Sequence, residues 1–165
     1  MDFESHQVKQ SLRALKDIDF ELAYLAALTC EGLKPLSRWE KHLDPRQIKL
    51  LQQLLLLTKQ IARTVKIGKK VTETIFSKTP AYIRLYEQRF ADTPIDKSPQ
   101  TQRFEGFLFG YPACCIDSYI KKPYTQNNLP PEDQKILFHW ACKDCSITLL
   151  LLTAYKRILN LLNNI

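Results

Sequence analysis

The chain has 165 residues, 45% of them apolar and 25% charged, the balance of an ordinary globular domain long enough for one hydrophobic core. Its apolar runs, 54–57 and 147–154, are far too short to cross a bilayer, and residues 1–5 lack the basic and apolar regions of an export signal, so a reducing cytoplasm is the expected setting and a membrane is not. The formal net charge of +7 points to nucleic acid or another anionic ligand as partner, although the basic residues are spread out and dense only at 66–70 and Lys121-Lys122, as solvated helix faces also are.

Four glycines against nine prolines, with abundant Leu, Lys and Gln, favour helices separated by proline-marked turns. Residues 4–30 carry the first helical pattern: Val8, Leu12 and Leu15, then Ile18, Leu22, Leu25 and Ala26. Asp17 is placed to cap a second helix there, and Gly32 to stop it. Cys30, near that stop, reads as a small buried apolar residue. In the connector 33–39, Pro35 disfavours helix at Lys34, and Ser37 is positioned to cap a short helical turn through His42.

Asp44 at an N-cap and Pro45 at the first helical position open the next helix. Ile48, Leu51, Leu55 and Ala62 form one stripe, Leu50, Leu54, Leu57 and Ile61 another, so this helix is expected at the centre of the core, running to about residue 64. Thr64, Val65, Ile67, Val71, Thr72, Thr74 and Ile75 are β-branched and favour a small hairpin over 64–76, turned at Gly68-Lys69. Thr79-Pro80 opens another helix with Ile83, Tyr86 and Phe90 on its buried face.

The loop 92–99 separates a helical part, 1–92, from a cysteine-bearing helical part, 100–165, within a single domain spanning 1–165. Phe104, Phe107 and Phe109 make an apolar approach to the cysteines. Pro112 fits the first position of a helix to about residue 122. Pro131, Glu132 and Asp133 start another, which Ile136, Leu137 and Trp140 carry towards the last cysteines, and Asp144 or Ser146 is a cap for the final helix. The fold class is mainly α: a single-domain helical bundle, with one small β-hairpin near 64–76.

Four of the five cysteines form an adjacent pair, Cys114-Cys115, and a CxxC, Cys142 and Cys145. In a reducing compartment such clustered thiols read as metal ligands or redox groups rather than structural disulfides. A first-turn position gives Cys114 and Cys115 unpaired backbone N–H groups and the positive end of a helix dipole, which favour thiolate. Adjacent side chains leave a helix about 100° apart, so a set of one of the pair, His139, Cys142 and Cys145 avoids strain. His139 stands three residues before Cys142 and would share a helical face with it. That set is a common zinc site, whereas an iron–sulfur cluster has the wider span that suits adjacent cysteines. Two further readings use the same residues: four packed core thiols, or a redox dithiol.

The stretch Gly110-Tyr111-Pro112-Ala113-Cys114-Cys115 resembles the Gly-Tyr-Pro-x-Cys-Cys motif of a prokaryotic domain-of-unknown-function family, number 483, and Gly32-Leu33-Lys34-Pro35 is similar to that family as well. This resemblance implies no particular reaction. The order Cys30, Cys114-Cys115, Cys142 and Cys145 also resembles the cysteine-rich domains of heterodisulfide reductases, which implies an iron–sulfur cluster. Here Ile116 stands where those domains have glycine after the pair, and the gap after Cys30 is much longer.

The sequence thus favours a small metal-binding protein of structural or interaction role, with zinc ahead of an iron–sulfur cluster and Cys114, Cys115, Cys142, Cys145 and His139 as candidate ligands. A thiol enzyme is the first alternative, with Cys114 or Cys115 as nucleophile, His139 as base, and Asp117 or Asp144 orienting that base. A nucleic-acid-binding module is the second, using Arg63, Lys66, Lys69 and Lys70.

Overall fold

The computed structural model describes residues 3, 5–68 and 71–165. Helix α1 (His6–Lys16) is followed after a short break by α2 (Phe20–Cys30). The cap of α2 is Asp19, whose carboxylate accepts the Leu22 N–H at 3.0 Å. Asp17 instead closes α1, because the Leu15 carbonyl already holds the N–H groups of Ile18 and Asp19. Every residue of α2 from Leu22 to Cys30 is buried. This, and not the helix after Pro45, is the central helix of the core.

That later helix, α3 (Pro45–Leu57), opens on a capping box between Asp44 and Gln47. It buries Leu51, Leu54 and Leu55 but leaves Leu56 80% exposed. It also stops seven residues before the expected end, because Ile61 and Ala62 belong to a strand. The predicted hairpin exists and starts earlier than its β-branched run. It comprises β2 (Ile61–Ile67) and β3 (Val71–Ser77), antiparallel, with Arg63 opposite Ile75 and Val65 opposite Glu73. Lys69 and Lys70 lie outside the described residues. The turn of helix expected at Ser37 is a third strand, β1 (Ser37–Trp39), paired with β3 to give the order β1-β3-β2. The fold is therefore mainly α with a three-stranded antiparallel sheet.

The sheet lies between two apolar clusters. Successive residues of β3 face opposite ways, so Phe76 joins the core of α1, α2, α3 and the last helix, while Ile75 joins a second core. That second core is built on α4 (Pro80–Phe90), with Ile83, Tyr86 and Phe90, and on α5 (Pro99–Phe109), with Leu108 and Phe109. Helix α5 was not apparent from periodicity. Ser98 caps it, accepting the Thr101 N–H at 3.2 Å, and Pro99 is its first residue.

Gly110 ends α5 with φ of +73°. Here a glycine is required twice over. The left-handed backbone disfavours any Cβ, and a Cβ would lie 2.7 Å from Pro35 Cδ and 3.0 Å from the Leu33 carbonyl. The connector 32–35 and the stretch 110–115 are thus packed against one another. After this corner come α6 (Ala113–Lys121), the five-residue α7 (Pro131–Lys135) and α8 (Ser146–Asn163). Helix α7 ends before Ile136 and never reaches the CxxC, so residues 137–145 are irregular. No helix among the described residues is long and apolar enough to cross a membrane.

Candidate metal centre

The adjacent cysteines stand in the first turn of α6, just after Pro112 at its N-cap. Cys115 points inward and is buried, whereas Cys114 is exposed. The CxxC closes over this helix end from the start of α8. Asp144 adopts φ of +54°, a left-handed conformation that aspartate tolerates, and Asn128 Nδ2 donates to its carboxylate at 2.6 Å. This curl turns Cys142 and Cys145 to the same side. Cys145 is the N-cap of α8, its sulfur accepting the Thr148 N–H at 3.4 Å, in the place where Asp144 or Ser146 was expected.

The four sulfurs all lie within 4.8 Å of one another. Cys115 Sγ is 3.4 Å from Cys145 Sγ and 3.7 Å from Cys142 Sγ, and Cys114 Sγ is 3.5 Å from Cys145 Sγ. All four are free thiols. Both members of the adjacent pair reach the CxxC from a regular first turn of α6: Cys145 Sγ approaches Cys114 and Cys115, and Cys142 Sγ approaches Cys115.

The surroundings of the sulfurs favour anions. The Cys142 N–H lies 3.3 Å from Cys115 Sγ, and the Thr148 hydroxyl is 3.5 Å from it. The N-termini of α6 and α8 both abut the cluster, adding two positive dipole ends. Burial works against ionisation, and it pushes the Cys115 and Cys142 thiols up. Burial opposes Cys145 as well, yet the Thr148 hydroxyl and N–H and the neighbouring thiols bring it down to about 7. Of Cys115, Cys142 and Cys145, the last is therefore the most readily ionised, and a bound cation would favour the thiolate form of each.

His139 stands outside this set of mutually close ligand atoms. Because α7 stops at Lys135, His139 does not share a helical face with Cys142. Its Nε2 is 3.0 Å from Thr148 Oγ1, which in turn touches Cys115. When Thr148 donates to a Cys115 thiolate, its oxygen accepts from Nε2–H, which leaves Nδ1 as the unprotonated nitrogen. Nδ1 is buried without a partner among the described residues. Burial, assisted by Lys34, lowers the His139 pKa to about 4, so the ring is neutral and backs Cys115 through Thr148.

Asp117 pairs with Arg103 at 2.9 Å and Asp144 accepts from Asn128, so neither orients His139. Arg63 and Lys66 are both exposed on β2, but they sit at odd and even positions of the strand and so project from opposite faces of the sheet. Cys30 is buried in the main core, apart from the four-thiol set.

Two features around the cluster were not visible in the sequence. One is the segment 124–141, which apart from the short α7 is held by side chains rather than by regular structure. Gln134 accepts from Asn127 and the Ala141 N–H and donates to the His139 carbonyl, and Trp140 Nε1 donates to the Thr125 carbonyl at 2.7 Å. The other is Lys34, which is 2% exposed. Its ammonium lies 4.8 Å from the Tyr111 ring centroid, 4.9 Å from Phe138 and 5.4 Å from Phe109, and donates to the Phe109 carbonyl. Burial, with a smaller contribution from Arg38, brings its pKa down to about 7. The only sequence signal for it was the Pro35 connector.

No protein-family model, curated protein or solved structure matches this chain. What the structure defines is a mainly helical protein with four cysteines clustered at metal-binding distance.

Proposed function

We propose that this protein binds one zinc ion through Cys114, Cys115, Cys142 and Cys145, and that the ion is structural. The mutual approach of four sulfurs within 4.8 Å carries the reading. With Zn–S bonds of about 2.3 Å, a tetrahedral site places its sulfurs about 3.8 Å apart and never more than about 4.6 Å. Three of the six sulfur separations, at 3.4–3.7 Å, fall just short of that spacing and all six are within 4.8 Å, so a small adjustment would admit such an ion. An iron–sulfur cluster interposes several atoms between thiolates and would require a wider opening of the same loop. Four protein ligands also fill a tetrahedral ion, which leaves no position for a substrate and favours a structural role over a catalytic one.

The ion would fasten the α6 start to the α8 start and so hold the irregular segment 122–145, which has one short helix of its own. The test is metal analysis of the protein purified with reductant. One zinc per chain is expected, falling well below one in Cys115→Ser and Cys145→Ser and unchanged in Cys30→Ser. Absence of any bound metal in the folded wild type, or iron in excess of zinc, would overturn the proposal.

A further inference from the structure

Beside the cysteines is a cavity of about 560 Å³, within the size range of small-molecule sites. Cys115 and His139 form part of its wall, between α5 and α6 on one side and the segment 124–140 on the other. Its entrance is aromatic. Tyr124 is 66% exposed and packs edge-on against Tyr119 at 5.2 Å and Trp140 at 5.4 Å between ring centroids. Tyr124 holds this place with φ of +56°, a conformation bulky residues seldom adopt. The Trp140 N–H is already satisfied by Thr125, so a ligand has only the ring face to use.

Charge complements the rings. Lys121 and Lys122 lie between Tyr119 and Tyr124, Lys135 lines the cavity, and Lys143 sits inside the CxxC. All four are exposed, and none makes an ion pair among the described residues. The acids nearby are mostly occupied: Asp117 with Arg103, Asp133 with Lys156, Glu105 with Arg38. Only Glu132 and Asp144 on these segments lack a cationic partner. Besides Lys135, the polar side chains on the cavity wall are Arg38, Gln102, Glu105, Gln134 and His139, set among apolar and aromatic ones.

We infer that this cavity binds a nucleotide, either free or as an unpaired residue of a single strand, with the base stacked on the exposed ring of Tyr124 beside Trp140 and the phosphate met by Lys121, Lys122 and Lys135. Base–aromatic stacking beside unpaired cations is the chemistry that recognises a flat heterocycle carrying phosphate. This places nucleic-acid affinity on the cysteine-bearing part of the chain and away from Arg63 and Lys66. The site depends on the cavity walls and not on which ion the cysteines hold.

The test titrates the full-length, metal-loaded protein with adenosine monophosphate, a short single-stranded oligoadenylate, a duplex of equal length and inorganic phosphate. Tryptophan fluorescence and the anisotropy of a labelled strand are the readouts. The expected result is quenching by the mononucleotide or the strand, with affinity reduced at least about tenfold in Tyr124→Ala. Exposure of Tyr124 makes that variant safe for folding, and unchanged zinc content separates loss of this site from loss of the ion. Lys121→Ala with Lys122→Ala is expected to flatten the salt dependence of strand binding by about 0.7 per lysine removed. Much tighter binding of the strand identifies a polymer ligand, and comparable binding identifies the free nucleotide. The inference is overturned if neither binds, if phosphate competes as well as the nucleotide, if the duplex binds as tightly as the strand, or if Tyr124→Ala binds as the wild type does.

Discussion

Replacing Gly110 by alanine tests how the chain delivers Cys114 and Cys115 to the cluster. Two costs are expected at this corner. The left-handed backbone, with φ of +73°, costs a residue with a Cβ about 1 kcal/mol. The new methyl would also sit 2.7 Å from Pro35 Cδ and 3.0 Å from the Leu33 carbonyl. Pro35 is a stiff ring and Leu33 offers backbone, so neither yields cheaply, and overpacking of this kind adds about 1–3 kcal/mol. The sum is about 2–4 kcal/mol, a large share of the roughly 5–15 kcal/mol that stabilises a domain. Gly32→Ala is the internal control. Its φ is +75° with nothing within 4 Å of the added Cβ, so it incurs only the backbone cost of about 1 kcal/mol. Urea denaturation of the three zinc-loaded proteins measures both values, and the melting temperature should fall by about 4–16 °C for Gly110→Ala. Equal losses in the two variants would refute the close approach of connector and corner.

Two further outcomes follow from the cluster's surroundings. Thr148→Val keeps the shape of a fully buried side chain but removes the hydroxyl between His139 and Cys115; zinc affinity, measured by competition with a chelator, is expected to fall about 10–100-fold, and an unchanged affinity would mean that this hydroxyl does not support the thiolate. Lys34→Met should stabilise the protein in a pH-dependent way. An unfolded lysine stays protonated up to about pH 10.4, whereas the buried Lys34 gives up its proton near 7. Between those values the unfolded state binds more protons, so this lysine's contribution to wild-type stability rises with pH and is lost on acidification towards 7. The advantage of Lys34→Met is therefore greatest at about pH 7 and shrinks by at least about 1 kcal/mol by about pH 9, after allowance for the three rings that favour the charged form. A difference between the proteins that stays flat across that range in denaturant titrations would show that Lys34 folds in with its proton.

Much of the frame was legible because local rules and packing agreed. Asp44-Pro45 and Thr79-Pro80 opened helices where expected, and Ile83, Tyr86 and Phe90 gave the buried face of α4. The four cysteines were readable as a set because an adjacent pair and a CxxC are unlikely by chance in one short stretch. Tertiary pairing decided the remainder. Ser37 looked like a cap, but β3 offers residues 37–39 a free strand edge, and the Ser37 hydroxyl bonds Thr29 at 2.6 Å. Leu56 continued an apolar run, yet its position on α3 faces solvent. His139 was linked to Cys142 by assuming a continuous helix after Pro131. Gln134 instead accepts the Ala141 N–H and holds the His139 carbonyl, which ends the helix and swings the ring to Thr148. Such side-chain to backbone bonds leave no periodic trace in a sequence.

X-ray absorption at the bound ion tests the four-sulfur zinc site most directly. Four sulfur neighbours at about 2.3 Å, with no second metal in the surrounding shell, are the expected result. A nitrogen neighbour at about 2.0 Å in place of one sulfur, or scattering from a second metal atom, would contradict it.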